Sequence, residues 1–137
     1  MTEQKIVVIG GGIAGLSAAQ AAREADATAR IHLICGEKRL PYYRTRICEI
    51  FSGLDAEKLV VRNFQWFTES NVQVVNAVAT SANHENRMVK FSDGSYLYYD
   101  KLIIATGARG NVPEAKGNDR DNVVALRNMA SIEKISQ

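Results

Sequence analysis

Apolar residues in this chain fall into short dense runs separated by glycine and polar turns, and few stretches carry helical spacing. Lys5–Ile9 (KIVVI) is a β-branched run followed at once by three glycines, the way a buried parallel strand enters a turn. Ile13–Ala25 then predicts a helix with little bulk. Ala14, Ala18, Ala19, Ala21 and Ala22 lie along it, and such small side chains let a helix pack closely on a sheet. Residues 30–35 (RIHLIC) predict a second strand, which completes a βαβ unit. Residues 39–53 are irregular and rich in aromatics and arginine. Residues 54–70 predict a mostly helical segment carried by Leu59, Phe64, Trp66 and Phe67. Val72–Val75 (VQVV) predicts the third strand of the parallel sheet. Residues 78–81, 87–91 and 95–99 predict a small antiparallel meander, with Asp93-Gly94 as its hairpin signal. Residues 102–105 (LIIA) predict a fully apolar strand ending at Thr106 and Gly107. A loop around Val112 and Pro113, a short strand near Val123 and a helix from near Ser131 complete the reading.

Composition narrows the function classes. A chain of 137 residues with 46% hydrophobic and 23% charged residues suits one globular domain with one core. The 17 basic and 15 acidic residues are interspersed and leave a net charge of +2, with no basic stripe to bind nucleic acid. No apolar stretch reaches membrane-spanning length, and residues 1–9 read as a polar lead and a strand rather than a secretion signal. Cys35 and Cys48 match no metal-ligand or CxxC spacing, and two cysteines do not make a disulfide scaffold. A reducing, cytoplasmic setting is expected.

Candidate chemistry starts at Gly10-Gly11-Gly12-Ile13-Ala14-Gly15, which fits GxGxxG between a strand and a helix. Gly10 permits the tight turn, Gly12 lets the backbone approach a pyrophosphate, and Gly15 allows close packing of helix on strand. The free N–H groups at the helix start face the phosphates. Glu37, 22 positions beyond Gly15, is the candidate to hold a ribose through its hydroxyls. A carboxylate there opposes a 2′-phosphate, so NADP is not the ligand expected at this site. His32 and His84 are isolated, and Trp66 and the tyrosines read as packing residues. Cys35 reads as core and Cys48 as a packed thiol.

Three ordered stretches, KIVVIGGGIAGLSAA, LPYYRTRICEIFSG and YDKLIIATGA, resemble the FAD-dependent pyridine nucleotide-disulphide oxidoreductases. Within them the chain is most similar to NADH-dependent rubredoxin and ferredoxin reductases and to the flavoprotein part of assimilatory nitrite reductase. Those relatives carry a segment like PYYRPRL; here it is Pro41-Tyr42-Tyr43-Arg44-Thr45-Arg46-Ile47, with Thr45 in place of the usual proline. The resemblance implies a Rossmann-like FAD-binding α/β fold, a parallel sheet with helices plus a small antiparallel meander. It implies that Gly10, Gly12, Ile13, Ala14 and Gly15 bind FAD rather than NAD. Arg44 and Arg46 would lie along the flavin side, where guanidinium groups offset pyrophosphate charge or hydrogen-bond the ring. The backbone at Ala79 would face the adenine. Ala105, Thr106 and Gly107 match the family's ATG turn beneath the cofactor. No CxxxxC pair follows the second strand, so no dithiol step is expected.

The resemblance also implies parts that this sequence does not contain: a second GxGxxG domain for NAD(P)H and a returning strand beneath the flavin. The fold is therefore expected to be incomplete. Residues 1–110 form the N-terminal part of the FAD-binding domain, and residues 111–137 form a connector toward the NAD(P)H domain. The parent enzyme would pass electrons from NAD(P)H through FAD to a redox acceptor such as rubredoxin, ferredoxin or a nitrite reductase centre. The 137 residues alone would be inactive and prone to self-association. Two rivals stand beside this reading. A stand-alone nucleotide-binding regulatory or docking module is favoured only by the length. An NAD-dependent dehydrogenase fragment is opposed by the ATG turn and the PYYR segment.

Overall fold

Residues 3–137 are described by a computed structural model of the chain. They divide into two compact units, one formed by residues up to 42 with 60–107, the other by residues 43–59 with 108–137.

The first unit is built on a four-stranded, all-parallel sheet. Its strands are β1 (Lys5–Ile9), β2 (Arg30–Ile34), β3 (Val72–Val75) and β7 (Lys101–Ile104), in the order β3-β2-β1-β7. Helix α1 (Ile13–Ala25) links β1 to β2, and the short helix α2 (Phe64–Glu69) precedes β3. Both faces of the two central strands are buried, which is why their sequences are continuous apolar runs rather than alternating ones. Ile6 and Val8 of β1 join Ile31 and Leu33 of β2 on one face, packed with Leu16 and Ala19 of α1 and Phe67 of α2. Val7, Ile9 and Ile34 occupy the other face with Val89, Phe91 and Tyr99. Val7, Val8 and Leu33 are fully buried, at about 1.5–3 kcal/mol each, so this sheet is the main source of the unit's stability.

The antiparallel sheet is the expected meander, β4 (Ala79–Asn83), β5 (Met88–Phe91) and β6 (Tyr96–Tyr98), with β5 in the centre. The Phe91 amide donates to the Ser95 carbonyl (2.9 Å) and the Gly94 amide to the Phe91 carbonyl (3.1 Å). With Gly94 at φ +85°, this is the three-residue hairpin closed by a left-handed glycine.

Three expectations are corrected. Residues 54–70 are not one helix: a 3-10 turn (Ala56–Leu59) and α2 are separated by a bridge that pairs Tyr42 with Val60. Helix α2 starts only where the Asn63 side chain accepts the Trp66 amide (3.0 Å). The stretch 39–53 is more regular than its composition suggests, since Arg44–Ser52 forms a 3-10 segment closed by Gly53 at φ +89°. No strand forms near Val123, because the Val123 amide turns back to the Arg120 carbonyl (2.9 Å).

The second unit contains those two 3-10 segments and helix α3 (Met129–Ile135), with Ile47, Leu59, Met129 and Ile132 buried. Helix α3 begins two residues earlier than Ser131. Asn128 caps it, and Ser131 is its partner in a reciprocal capping box.

Candidate functional site

In the parallel sheet, Ile9 pairs in register with Ile34 and with Ile104, and Ile34 pairs with Val75. The four strands therefore end level. The segments that follow β1, β2 and β7, which hold the glycine turn, Glu37 and the ATG sequence, all leave from one edge. Open parallel sheets bind their ligands at the carboxyl ends of their strands.

The glycine turn is tightly fitted. Gly10 adopts φ +122° and donates its amide to the Ile34 carbonyl (3.0 Å). A Cβ on Gly10 would stand 2.1 Å from the Ala105 carbonyl oxygen, and one on Gly15 would stand 1.8 Å from the Gly10 oxygen. Gly11 has a Cβ position 2.6 Å from the Cys35 sulfur. These three glycines are required by the protein's own packing. The ATG turn is part of the same construction: the Ala105 amide bonds to the Ile9 carbonyl (2.8 Å), and Gly107 turns the chain at φ +72°.

Gly12 is different. It is the N-cap of α1 at φ −93°, ψ −175°, an extended conformation any residue adopts, and it supplies no side-chain cap. The first turn of α1 holds no acidic residue, and Ile13 and Ala14 are exposed. Helix N–H groups without a cap, at the positive end of the helix dipole, suit a diphosphate. With backbone walls on one side and open amides on the other, this turn fits the pyrophosphate of a dinucleotide cofactor.

Glu37 lies two residues beyond Cys35 and is half-buried. The Tyr42 hydroxyl donates a 2.6 Å hydrogen bond to its Oε2. Tyr42 reads from the sequence as a packing residue; the structure buries it and adds this hydrogen bond, which no spacing rule could show. Ala79 opens β4, pairs with Phe91 and is half-buried against the meander core. Arg44 and Arg46 belong to the second unit. Arg46 is exposed and gives Glu49 two hydrogen bonds of 2.8 Å, and this carboxylate raises the arginine above its ordinary value. Cys48 is exposed rather than packed, a correction to its expected place, while Cys35 is buried against the glycine turn as expected of a core residue. Among the described residues no cluster of His, Cys, Asp or Glu could hold a metal, and no helix is long and apolar enough to cross a membrane.

A level parallel sheet, a glycine turn opening a helix and an ATG turn beneath it define a Rossmann-type unit of the reductase kind. Comparison with known proteins agrees: the family model for pyridine nucleotide-disulphide oxidoreductases matches residues 4–137, and the chain belongs to that family. The NADH-rubredoxin oxidoreductase of Clostridium acetobutylicum is 37% identical over 84% of this chain and 31% of its own length. The ferredoxin–NAD(+) reductase component of the biphenyl dioxygenase system of Paraburkholderia xenovorans is 31% identical over 96% of this chain and 33% of its own. A crystal structure of a ferredoxin reductase from Rhodopseudomonas palustris superposes with a TM-score of 0.86 at 28% identity, covering 96% of this chain and 33% of that one. The chain thus spans about a third of the length of these relatives. Enzymes of the family use FAD with NAD(P)H as substrate.

Proposed function

We propose that this chain is the FAD-binding portion of an NAD(P)H-dependent flavoprotein oxidoreductase of the cytoplasm. The enzyme passes electrons to a redox acceptor such as rubredoxin, ferredoxin or a nitrite reductase centre. Residues 1–110 supply the N-terminal part of the FAD domain, and residues 111–137 lead toward the NAD(P)H domain. One observation carries the reading: the glycine turn and the ATG turn interlock at the carboxyl end of the sheet, and the helix start beyond them has no cap of its own.

When bound, FAD supplies hydride acceptance and electron transfer. The chain's own work is binding and electrostatics. The amides of Ile13 and Ala14 receive the diphosphate, Gly12 permits its approach, and Gly10 and Gly15 provide the tight turn and the close helix packing behind it. Glu37 accepts from ribose hydroxyls, and the Ala79 backbone faces the adenine. Thr106 and Gly107 let the main chain pass close to the cofactor. By the family resemblance, Arg44 and Arg46 offset pyrophosphate charge or hydrogen-bond the flavin ring. No side chain here acts as acid, base or nucleophile, and Cys48 takes no part in a thiol step.

Gly12 gives the cleanest test. Substituting Gly10 or Gly15 would drive a side chain into backbone, whereas the Gly12 backbone is ordinary. Gly12→Val should leave the full-length protein folded and strip its flavin, read as the visible flavin absorbance per mole of protein. A folded variant as yellow as the wild type overturns the assignment.

A further inference from the structure

We propose that Tyr42 is a positioning residue for the ribose on the adenine side of the cofactor, its hydroxyl holding the Glu37 carboxylate in the orientation that receives the ribose hydroxyls. The inference rests on the FAD reading and extends it to a residue that acts through Glu37.

The Tyr42 O–H donates to Glu37 Oε2 at 2.6 Å, within the short range of charge-assisted bonds between a hydroxyl and a carboxylate. The donor is not free to wander. Tyr42 is 5% exposed, its backbone forms an antiparallel bridge with Val60, and the preceding Pro41 is fully buried. The Pro41 carbonyl accepts the Val61 amide at 2.9 Å, so both sides of the tyrosine are tied down. Glu37 follows β2 in a turn closed by one long bond, the Lys38 amide to the Cys35 carbonyl at 3.4 Å, with Lys38 at φ +54°. A glutamate on such a turn has three side-chain torsions to fix before it can serve a ligand. A buried phenol fixes them in advance, and pre-organisation of this kind raises affinity without adding a contact to the ligand.

The test is a double-mutant cycle on FAD binding by the full-length protein, stripped of flavin and titrated with FAD, with thermal melting run on each variant. Tyr42→Phe keeps the buried ring and removes only the hydroxyl. It should weaken FAD binding by roughly three- to tenfold, and Glu37→Ala by roughly ten- to a hundredfold. The double variant should bind no more weakly than Glu37→Ala alone, because an orienting hydroxyl has nothing left to orient. Equal loss from Tyr42→Phe with and without Glu37 would make the tyrosine a packing residue and overturn the proposal. So would an unchanged dissociation constant in Tyr42→Phe while Glu37→Ala binds weakly, an outcome that leaves the FAD site standing. If Glu37→Ala itself binds FAD as well as the wild type, the assignment of the ribose to Glu37 fails, and this proposal with it.

Discussion

The imidazole of His32 lies on the same face of β2 as Ile34, and its buried Nδ1 has no hydrogen-bond partner. Burial is the main cause that lowers its pKa below the ordinary 6.5, helped by repulsion from Lys5 and Arg30 and opposed by a hydrogen bond with Gln73. The folded state thus disfavours the proton that the unfolded chain accepts. The neutral histidine's contribution is complete above pH 6.5 and is lost as pH falls through that value toward the lower folded one. Asp26, Asp93 and Glu49 are held below their ordinary 3.8, 3.8 and 4.5 chiefly by side-chain hydrogen bonds from Thr28, Ser95 and Arg46, so they lose their contributions only at lower pH. Between about pH 7.5 and 5.5, the melting temperature of the protein should therefore fall more steeply than that of a His32→Asn variant. Parallel curves would show that His32 keeps its proton affinity on folding. The sequence reads His32 as isolated from other ligands and bases. Its burial could not be read there, because a histidine in RIHLI looks the same whether or not water reaches it.

At the scale of elements, the sequence was most legible where one physical demand dominates. A β-branched run before three glycines admits little but a buried strand and a tight turn, and β1, α1 and β2 formed within one residue of expectation. Legibility failed where a single side chain decides. Asn63 starts α2 and Asn128 starts α3, each by accepting an amide three residues on, and neither cap shows in the apolar pattern. Arg23 is a further case. Its Nε donates to the Ser70 carbonyl (2.8 Å), and its two terminal nitrogens donate to Asp26, Ala27, Ala29 and Asn71. All five guanidinium donors are thus used, tying the end of α1 to the end of α2 and to the turn that enters β2. Cations are favoured at helix C-termini, and here one cation serves two of them. Arg23→Met, which keeps the stem, should cost about 2–4 kcal/mol of unfolding free energy by denaturant titration. A loss below ~0.5 kcal/mol would mean that water replaces the guanidinium at no cost.

For the whole molecule, the site was legible in outline and not in detail. The glycine and ATG motifs could be read separately, but that Ala105 closes directly on Gly10 needed the three-dimensional structure. Strand β7 ends the sheet, and Ile104 on it is 66% exposed, a surface suited to being covered. We therefore expect the 137-residue chain by itself to fold, to self-associate with rising concentration in sedimentation, and to show no NADH-dependent dye reduction above free flavin. Clear turnover by the chain alone would contradict its placement as one part of a larger reductase. The central claim, that the first glycine turn holds FAD, is tested most directly by purifying the full-length protein, denaturing it and identifying the released cofactor by chromatography and mass. The account predicts FAD at about one per chain. Release of NAD instead, or of no dinucleotide from a folded protein, would contradict it.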